Sequence, residues 1–433
     1  MRPGAQIKAA AEVLDDILSR HRTAADALAD WGRSHRFAGS GDRAAIGNLV
    51  YDALRRRRSL SAQMSSDTPR ALALAAASQA LGIPAEEVIA AAEDPSTPHA
   101  MGALDEQERS GIVRTLDDQT PAAVLGDIPD WLYPSFERAF GTAAAHEGAA
   151  LARRAPVDLR VNALKADRPK VLKALARFAP IQTPLSPLGV RLPAPAGPRR
   201  SPNVEAEAGH GRGWFEVQDE GSQVAALLAG VAPRQQVLDI CAGAGGKTLA
   251  FAAAMRNTGQ VYAYDGETGR LRPIFERLKR AGVRNAQVLP AGDAEALAGF
   301  RPRFDVVFVD APCSGTGAWR RRPDAKWRLK PANLAERQND QRAILEMAAP
   351  LVKPGGQLVY VTCSVLPEEK DDQIAWFLGN HPAFSALPWP TAWDAAELGT
   401  PPQSAGQGSH GLLLTPARHG TDGFFISIAR CAP

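Results

Sequence analysis

Two cysteines follow two apolar segments of this chain, and one of them has an acid beside it. The first segment, Phe304–Asp310, is rich in Val and Phe and ends three residues before Cys313. The second, 357–362, ends directly before Cys363. Such segments predict buried strands, and the Pro and Gly residues after the first predict an open loop. Because ligands bind at the carboxyl ends of the strands in an open α/β sheet, a carboxylate and two thiols at that edge indicate covalent chemistry.

Taken singly, each cysteine would be interpreted as a packing residue, because most free cysteines are small buried hydrophobic groups. Their joint position at two strand ends, one flanked by Asp310 and Pro312, favours catalysis. The chain has four cysteines with no C-x-x-C pair, and none of its eight histidines lies at zinc-ligand spacing from them. With no signal peptide and no long apolar stretch evident, we expect reduced thiols in a cytoplasmic protein, without a metal site or a membrane role.

A glycine-rich turn follows the apolar segment 237–241 and precedes a helical pattern. Glycine lets backbone amides approach a ligand closely and leaves the N-terminus of the helix open toward it. A phosphate-binding P-loop would need Gly where Cys241 stands, and a dinucleotide fingerprint would need Gly at Thr248. The nucleotide-type ligand that remains is adenosylmethionine, which brings no phosphate.

Acids at the ends of the following strands support this interpretation. Asp265 lies 20 residues after Gly245, where an acid binds both ribose hydroxyls, and Asp293 follows the next strand, within reach of an adenine edge. Each acid could instead cap a helix, and the glycines alone are a weak signal. The prediction of an adenosylmethionine site therefore depends on the occurrence of an acid after each successive strand. The predicted cofactor contacts are Cys241, Ala242, Gly243, Ala244, Gly245, Gly246, Lys247, Asp265, Asp293 and Asp310.

Hydrophobic periodicity divides the 433 residues into three parts. Residues 1–148 are helical in pattern and predict a small all-α interaction domain. Residues 149–213 predict a small α+β subdomain with a strand at 157–162, a helix at 167–178 capped by Asp167, and loops at 180–213. From residue 214 to 433 strands and helices alternate, which predicts a parallel sheet covered on both faces. The predicted strands of this part are 215–218, 237–241, 261–265, 286–289, 304–310 and 357–362, the helices are 246–255, 270–281, 333–352 and 368–378, and a hairpin of 412–415 and 424–429 closes the sheet.

The positions of the charged residues are more informative than the net charge, because 50 Lys and Arg nearly balance 47 Asp and Glu. The basic run 55–58 cannot share one face of a helix, so a solvated helix end and an RNA-phosphate contact are both open. The segment 319–330 holds six basic residues and one acid, together with Trp319 and Trp327. Beside Cys313 it predicts phosphate contacts and base stacking, and the plainer alternative is a solvated loop with core tryptophans.

Three motifs resemble those of the RNA cytosine-5 methyltransferases of the Sun/Nop2 (RsmB/NOP) type: Cys241-Ala-Gly-Ala-Gly-Gly-Lys-Thr248, Asp310-Ala-Pro-Cys-Ser-Gly-Thr-Gly317 and Thr362-Cys-Ser364. The similarity runs from Leu159 to the C-terminus and includes Arg160-Val-Asn162, Gln218-Asp-Glu220 and Asp422-Gly-Phe-Phe425. The helical start, with Asp42-Arg43 and Leu49-Val-Tyr51-Asp-Ala-Leu54-Arg, resembles more loosely the NusB-type RNA-binding domain of bacterial small-subunit rRNA members. The chain departs from the family at Gly243-Ala244, where Ala-Pro is usual.

The resemblance implies a class I, Rossmann-like methyltransferase domain that uses S-adenosyl-L-methionine to methylate carbon 5 of cytosine in RNA, above all in small-subunit ribosomal RNA. It implies that Cys363 attacks the base, that Cys313 releases the product, and that Asp310 donates a hydrogen bond or proton at ring nitrogen 3. The Pro-Cys context by itself would favour Cys313 as the nucleophile. We expect a monomer, and the predicted RNA contacts are Arg160, Asn162, Trp319, Arg320, Arg321, Arg322, Lys326 and Trp327.

Three other functions remain open from the residues. The same chemistry could act on transfer RNA, or the chain could be an RNA-binding assembly factor without catalysis. The presence of Cys313, Cys363 and Asp310 favours an enzyme over such a factor. An NAD-linked oxidoreductase is the weakest alternative, because the dinucleotide fingerprint fails.

Overall fold

The computed structural model describes residues 1–433, except for the side chains of Ala294 and Ala296. The chain divides into two units. The helical unit comprises Met1–Ala155, Ala194–Ser201 and Ala318–Leu329, and the sheet unit comprises Pro156–Pro193, Pro202–Gly317 and Lys330–Pro433. In the part of the chain that the structure describes, no helix has the length and apolar character needed to cross a membrane.

Amphipathic helices build the helical unit, as predicted. In α1 (Pro3–Arg20), Ile7 and Leu14 lie on the apolar face and are completely buried. Thr68 caps α5 (Pro69–Leu81) by accepting the N–H of Ala71. The other helices of this unit are α2 (Ala24–Ser34), α3 (Ser40–Arg55), α4 (Arg57–Met64), α6 (Ala85–Glu93), α7 (Glu106–Val113), α8 (Ala122–Leu125), α9 (Tyr133–Phe140), α10 (Ala144–Leu151) and α18 (Pro323–Arg328).

The sheet unit begins with a small antiparallel sheet whose strand order is β2-β3-β1-β4. Val171 of α11 packs against it, and α11 begins where predicted, because the Asp167 side chain accepts the N–H of Lys170. Two predictions are wrong. The segment 180–213 is not all loop, since it contains β2 and β3, and the strand predicted at 215–218 lies outside the parallel sheet, since β4 pairs antiparallel with β1. The elements are β1 (Val157–Val161), α11 (Arg168–Ala174), β2 (Ile181–Gln182), β3 (Gly189–Leu192), α12 (Ala208–Gly211) and β4 (Phe215–Val217).

The larger sheet has the strand order β10-β12-β9-β8-β5-β6-β7, with β11 paired to β12. Strands β5 to β9 are parallel, whereas β10, β11 and β12 are antiparallel, so the predicted C-terminal hairpin is confirmed. The strands are β5 (Gln236–Asp239), β6 (Gln260–Ala263), β7 (Ala286–Val288), β8 (Phe304–Asp310), β9 (Val352–Thr362), β10 (Phe384–Leu387), β11 (Leu412–Leu414) and β12 (Phe424–Cys431). The helices are α13 (Glu220–Leu228), α14 (Gly246–Ala254), α15 (Thr268–Leu271), α16 (Ile274–Ala281), α17 (Ala294–Ala298), α19 (Pro331–Ala348), α20 (Asp371–Asn380), α21 (Trp389–Ala395) and α22 (Pro416–His419).

The strand order reverses between β5 and β8, and ligands bind at such a switch point in open α/β sheets. The core below it is apolar, with Val237, Phe308 and Val359 completely buried. Because Asp310 at the end of β8 pairs in register with Val361 of β9, the loops that follow these two strands leave the sheet side by side. The predicted Rossmann-like α/β fold is confirmed, and its switch point lies beside both cysteine motifs.

Candidate active site

The two cysteines meet just beyond β8 and β9. Their Sγ atoms lie 3.4 Å apart, which is a hydrogen-bonding contact and much longer than a disulfide of about 2.05 Å. The hydrogen bond to Cys363, followed by burial, raises the pKa of Cys313 well above its ordinary value. Cys313 therefore keeps its proton and can donate it toward Cys363.

Main-chain and side-chain hydrogen bonds join the two cysteine loops. The N–H of Gly317 donates to the carbonyl of Cys363 at 2.9 Å. The N–H of Val365 donates to Thr316 Oγ1 at 3.0 Å, and Thr316 Oγ1 lies 3.0 Å from Ser364 Oγ. The short distance between the sulfurs is therefore fixed by the backbone of both loops and does not depend on side-chain rotamers alone.

A lysine and a carboxylate lie at the same edge of the sheet. Lys247 Nζ contacts Asp310 Oδ2 in an ion pair. Burial lowers the pKa of Lys247, but the charge of Asp310 and its hydrogen bond outweigh burial, so the pKa is raised. Nearby, Thr248 Oγ1 donates to Asp239 Oδ2 at 2.7 Å, and burial raises the pKa of Asp239 to about 7. The Lys247–Asp310 pair thus holds a proton beside the thiols.

The glycine-rich turn between β5 and α14 has the backbone conformation that its glycines allow. Gly243 and Gly245 have φ values of 50° and 82°, in the left-handed region. A Cβ on Gly245 would lie 2.5 Å from Cγ1 of Ile274, so only glycine fits there. Ala244 stands where the resembling family usually has proline. Arg277, which lies outside the turn in α16, donates to the carbonyl of Ala244 at 2.8 Å and so stabilises the turn.

Asp265 holds the turn from the end of β6. It is 2% exposed, and its Oδ2 accepts the N–H of Gly243 at 3.0 Å while its Oδ1 accepts the N–H of Glu267 at 3.1 Å. Asp293 is exposed, and its loop is tied to Asp265 by the N–H of Gly292, which donates to the Asp265 carbonyl at 3.2 Å. The two acids predicted for ribose and adenine therefore lie on neighbouring loops at the turn.

The remaining predicted cofactor residues, Cys241, Ala242 and Gly246, have no reactive side chain to offer a ligand, so any contact they make would be through the main chain. Burial raises the pKa of Cys241 well above its ordinary value, so its sulfur is an unreactive packing group. Ala242 is 8% exposed, and Gly246 begins α14. A bent backbone with left-handed glycines and an acid at the end of the next strand is a donor set that fits adenosylmethionine. Among the described residues, no group of three or more His, Cys, Asp or Glu is arranged to hold a metal ion.

Several residues that hold the site were not predicted. Arg277 also pairs with Glu216 at 3.0 Å. Glu369, predicted only as part of a helical stretch, is completely buried and accepts the N–H of Ser314 at 2.8 Å, although the two are 55 positions apart. No spacing rule pointed to these contacts, because each joins distant segments that only the sheet brings together.

Two family models match the chain. One, described as 16S rRNA methyltransferase RsmB/F, covers residues 226–430, and the other, a ferredoxin-like domain of RsmF/B-like methyltransferases, covers residues 128–197. A relative from Sodalis glossinidius, ribosomal RNA small subunit methyltransferase B, is 36% identical over 333 residues, which are 73% of this chain and 71% of that protein. The chain belongs to the RsmB/F family.

Two further members of the family align over a shorter part of their length. The probable ribosomal RNA small subunit methyltransferase B of Synechocystis sp. is 35% identical over 306 residues, 69% of this chain and 66% of that protein. The Salmonella heidelberg protein of the corresponding name is 36% identical over 305 residues, 69% of this chain and 65% of its own length. The chain thus matches slightly less than two thirds of these two relatives.

Solved structures share the fold. PH0851 covers 99% of both chains with a TM-score of 0.73 and 24% identity, which extends the similarity of fold to the whole chain. A methyltransferase homolog protein from Pyrococcus horikoshii covers 72% of this chain with a TM-score of 0.59 and 26% identity. NSun6 from Pyrococcus horikoshii, solved with SFG, covers 71% of this chain with a TM-score of 0.62 and 20% identity.

In this RsmB/F member, two residues predicted to contact RNA are buried instead. Arg160 is 4% exposed, donates to the carbonyl of Gly246 at 2.6 Å, and has a pKa lowered by burial to about 10. Asn162 is 5% exposed and donates to the carbonyls of Gly213 and Ala281, each at 2.9 Å. The prediction of RNA contacts for these two residues is wrong, because their polar atoms already bind main-chain groups of the protein. Arg160 stabilises the start of α14, and Asn162 links the segment before β4 to the end of α16.

The segment after the Asp310 loop is also less exposed than predicted. Trp319 is 1% exposed, and its ring centroid lies 5.7 Å from that of Phe136. Lys326, also 1% exposed, donates to the carbonyls of Arg55 and Asp127 at 2.7 and 2.9 Å, and burial lowers its pKa to about 8. The predicted base stacking of Trp319 and the predicted phosphate contact of Lys326 are therefore wrong. Trp319 is a core residue, as in the plainer alternative, and Lys326 is buried as well.

The other residues of this segment differ in exposure. Arg320 is 4% exposed, which contradicts its predicted phosphate contact, and half-buried Trp327 donates Nε1–H to the carbonyl of Leu54 at 2.6 Å. Arg321 is half-buried and Arg322 is exposed, so an RNA contact stays a prediction for these two. In the basic run 55–58, Arg55 pairs with Asp52 at 2.8 Å, so its guanidinium is occupied inside the unit.

Proposed function

We propose that this chain transfers a methyl group from S-adenosyl-L-methionine to carbon 5 of a cytosine in small-subunit ribosomal RNA, through a covalent bond between Cys363 and carbon 6 of the base. The observation that carries the proposal is the 3.4 Å contact between the sulfurs of Cys313 and Cys363 at the ends of adjacent strands, with Asp310 at the same edge. Carbon 5 of cytosine is a poor nucleophile, and addition of a thiolate to carbon 6 makes it electron-rich.

Adenosylmethionine supplies the methyl group when it is bound. The left-handed turn at Gly243 and Gly245 would hold its amino-acid end, and Asp265 would hold its ribose hydroxyls. Asp293 would approach the adenine edge from the neighbouring loop. The contact between Arg277 and the Ala244 carbonyl supports the turn in place of the usual proline, which favours cofactor binding in this chain.

In the proposed attack, the Cys363 thiolate forms a bond to carbon 6, and the electrons of the 5,6 double bond shift toward ring nitrogen 3. The Lys247–Asp310 pair supplies a proton or hydrogen bond at that nitrogen, which neutralises the developing charge. Cys313 stays protonated at this stage, because its hydrogen bond to Cys363 raises its pKa. This assigns the attack to Cys363, as the resemblance implied.

After carbon 5 has received the methyl group that adenosylmethionine supplies, release of the product requires a base. Once the sulfur of Cys363 is bonded to carbon, it no longer carries the negative charge that favoured the protonated form of Cys313. Cys313 then loses its proton to water and takes the proton from carbon 5. The C–H electrons re-form the 5,6 double bond, the C6–S bond breaks, and nitrogen 3 returns its proton to the Lys247–Asp310 pair. The step ends with a Cys313 thiol and a Cys363 thiolate, the arrangement from which the reaction began.

The names of the family members favour small-subunit ribosomal RNA as the substrate. A NusB-type RNA-binding role for the helical unit, a cytoplasmic location and a monomeric state are consistent with this proposal and stay predictions. Calorimetry with adenosylmethionine and with NAD tests the cofactor: we expect the first to bind and the second not to bind.

Trapping of RNA tests the chemistry. We expect Cys313→Ser to accumulate an RNA-linked protein that migrates slowly on a denaturing gel and disappears with ribonuclease, because attack continues while release is blocked. The double variant Cys313→Ser/Cys363→Ala should lose the adduct, and Cys431→Ser, the matched control at the end of β12, should behave like the unaltered protein.

Sequencing of the trapped RNA identifies the substrate. Trapping by Cys363→Ser in place of Cys313→Ser would reverse the two thiol roles. A trapped transfer RNA would replace ribosomal RNA as the substrate. If no variant traps RNA and the unaltered protein transfers no methyl group, the proposed enzyme is refuted in favour of an RNA-binding assembly factor.

A further inference from the structure

A buried carboxylate, Glu369, lies beneath the Cys313 loop. It is completely unexposed and follows β9 by a short turn. Its side chain accepts the backbone N–H of Ser314 at 2.8 Å, the hydroxyl of Ser314, and Nε2 of the completely buried Gln341 at 3.1 Å. Three donors thus converge on one carboxylate, and two of them belong to the residue directly after Cys313.

Gln341 also binds the residue on the other side of Cys313. The same Nε2 that reaches Glu369 also donates to the carbonyl of Pro312 at 2.9 Å. Glu369 and Gln341 therefore hold the residues immediately before and after Cys313. Because Gln341 lies in α19 and Glu369 follows β9, the cysteine loop is fixed against two elements of the sheet unit.

The backbone of Glu369 is fixed as well. Its carbonyl accepts the hydroxyl of Tyr360 at 3.0 Å, and its N–H donates to the carbonyl of Leu366 at 3.0 Å. Burial raises the pKa of Glu369, and the donors from Ser314, Ser364 and Gln341 oppose that effect. A carboxylate taken out of water destabilises the fold unless its donors offset the cost. A buried carboxylate that destabilises the fold and lies beside a reacting thiol indicates a functional constraint.

We propose that Glu369 is a positioning residue that holds the Cys313 loop in the geometry required for product release, without itself contacting the RNA or the cofactor. This inference rests on the proposed function, in which Cys313 takes the proton from carbon 5. Ser364, directly after Cys363, also donates to Glu369. The attacking sulfur is nevertheless less dependent on Glu369, because Cys363 directly follows β9, whose last residue Thr362 pairs with Phe425 of β12. Loss of the Glu369 contacts should therefore slow release more than attack.

The test separates the two steps in a single turnover of the full-length protein with adenosylmethionine and the RNA identified by trapping. Adduct formation is followed on denaturing gels, and release is followed as methylated RNA freed from protein. Glu369→Gln removes the negative charge and replaces one of the two acceptor oxygens with an NH2 group, which weakens the hold on the Cys313 loop. We expect release to slow by about 10- to 100-fold, as displacements of about 1 Å do, while adduct formation changes by less than about threefold.

Three further variants complete the test. Glu369→Asp restores the charge at a shorter reach, so it should recover part of the release rate. Ser314→Ala removes one donor and keeps the backbone N–H, so it should slow release less than Glu369→Gln does. Glu336→Gln, at an exposed position of α19, is the matched control and should leave both rates unchanged.

Each outcome decides the inference. Equal slowing of attack and release in Glu369→Gln, or a release rate that stays normal, would overturn it. If Glu369→Gln fails to fold, as judged by its thermal unfolding, Ser314→Ala decides in the same way: selective slowing of release supports the inference, and an unchanged release rate overturns it. If the unaltered protein forms no adduct and transfers no methyl group, the proposed function fails, which is distinct from a failure of the role of Glu369.

Discussion

Gly245, in the turn proposed to bind adenosylmethionine, can be tested by adding a single methyl group. In Gly245→Ala, the new Cβ would lie 2.5 Å from Cγ1 and 2.8 Å from Cδ1 of Ile274, at a residue whose φ is 82°. The left-handed conformation costs an alanine about 1–2 kcal/mol, and overpacking of this kind costs about 1–3 kcal/mol more. We therefore expect the variant to lose about 2–5 kcal/mol of stability. We also expect it to bind adenosylmethionine more weakly, because the turn must shift away from Ile274.

Gly243→Ala is the matched control, because it shares the positive φ of 50° but its Cβ would meet only Arg270 at 3.7 Å and Asp265 at 4.0 Å. It should lose only the conformational cost of about 1–2 kcal/mol. In the double variant Gly245→Ala/Ile274→Ala, both clashing carbons are absent, so the double-mutant cycle should show a favourable coupling of about 1–3 kcal/mol.

Urea unfolding measures the stabilities and calorimetry measures cofactor affinity. The reasoning is refuted if Gly245→Ala is no more harmful than Gly243→Ala. It is equally refuted if removal of the Ile274 side chain restores none of the loss.

Four further perturbations test other parts of the molecule. Asp265→Asn should weaken adenosylmethionine binding by about 10- to 100-fold in calorimetry, because an amide cannot accept both backbone N–H groups that the carboxylate accepts; unchanged affinity would remove Asp265 from the cofactor site. Asp239 has a pKa raised from 3.8 to about 7, so its folded state holds a proton that the unfolded state releases above about pH 4. Stability should fall by about 3 kcal/mol as the pH rises from 4 to 7, and this fall should be absent from urea titrations of Asp239→Asn. Trp319→Ala should destabilise the protein by about 3–5 kcal/mol, because the ring is buried against Phe136. The exposed Arg322→Ala should leave stability unchanged and reduce the salt dependence of RNA binding by about one phosphate contact; an unchanged salt dependence would argue against RNA binding at Arg322.

Most of the strands and helices around the site can be predicted from the sequence. Alternating apolar segments and amphipathic helices predict the Rossmann-like sheet, since their periodicity is a local property of the chain. The two cysteine motifs follow the carboxyl ends of strands, so a meeting of Cys313 and Cys363 was predictable from the rule for open α/β sheets. The structure brings their sulfurs to 3.4 Å.

Only the tertiary structure decided which polar residues face solvent and which hold the site together. Trp319, Lys326 and Arg160 have the composition of an RNA-binding surface, yet each is at most 4% exposed. Glu369 has no motif of its own, yet it holds the loop of Cys313 from 55 positions away. Burial and long-range hydrogen bonding depend on which segments pack together, and a pattern of residue types along the chain does not contain that information.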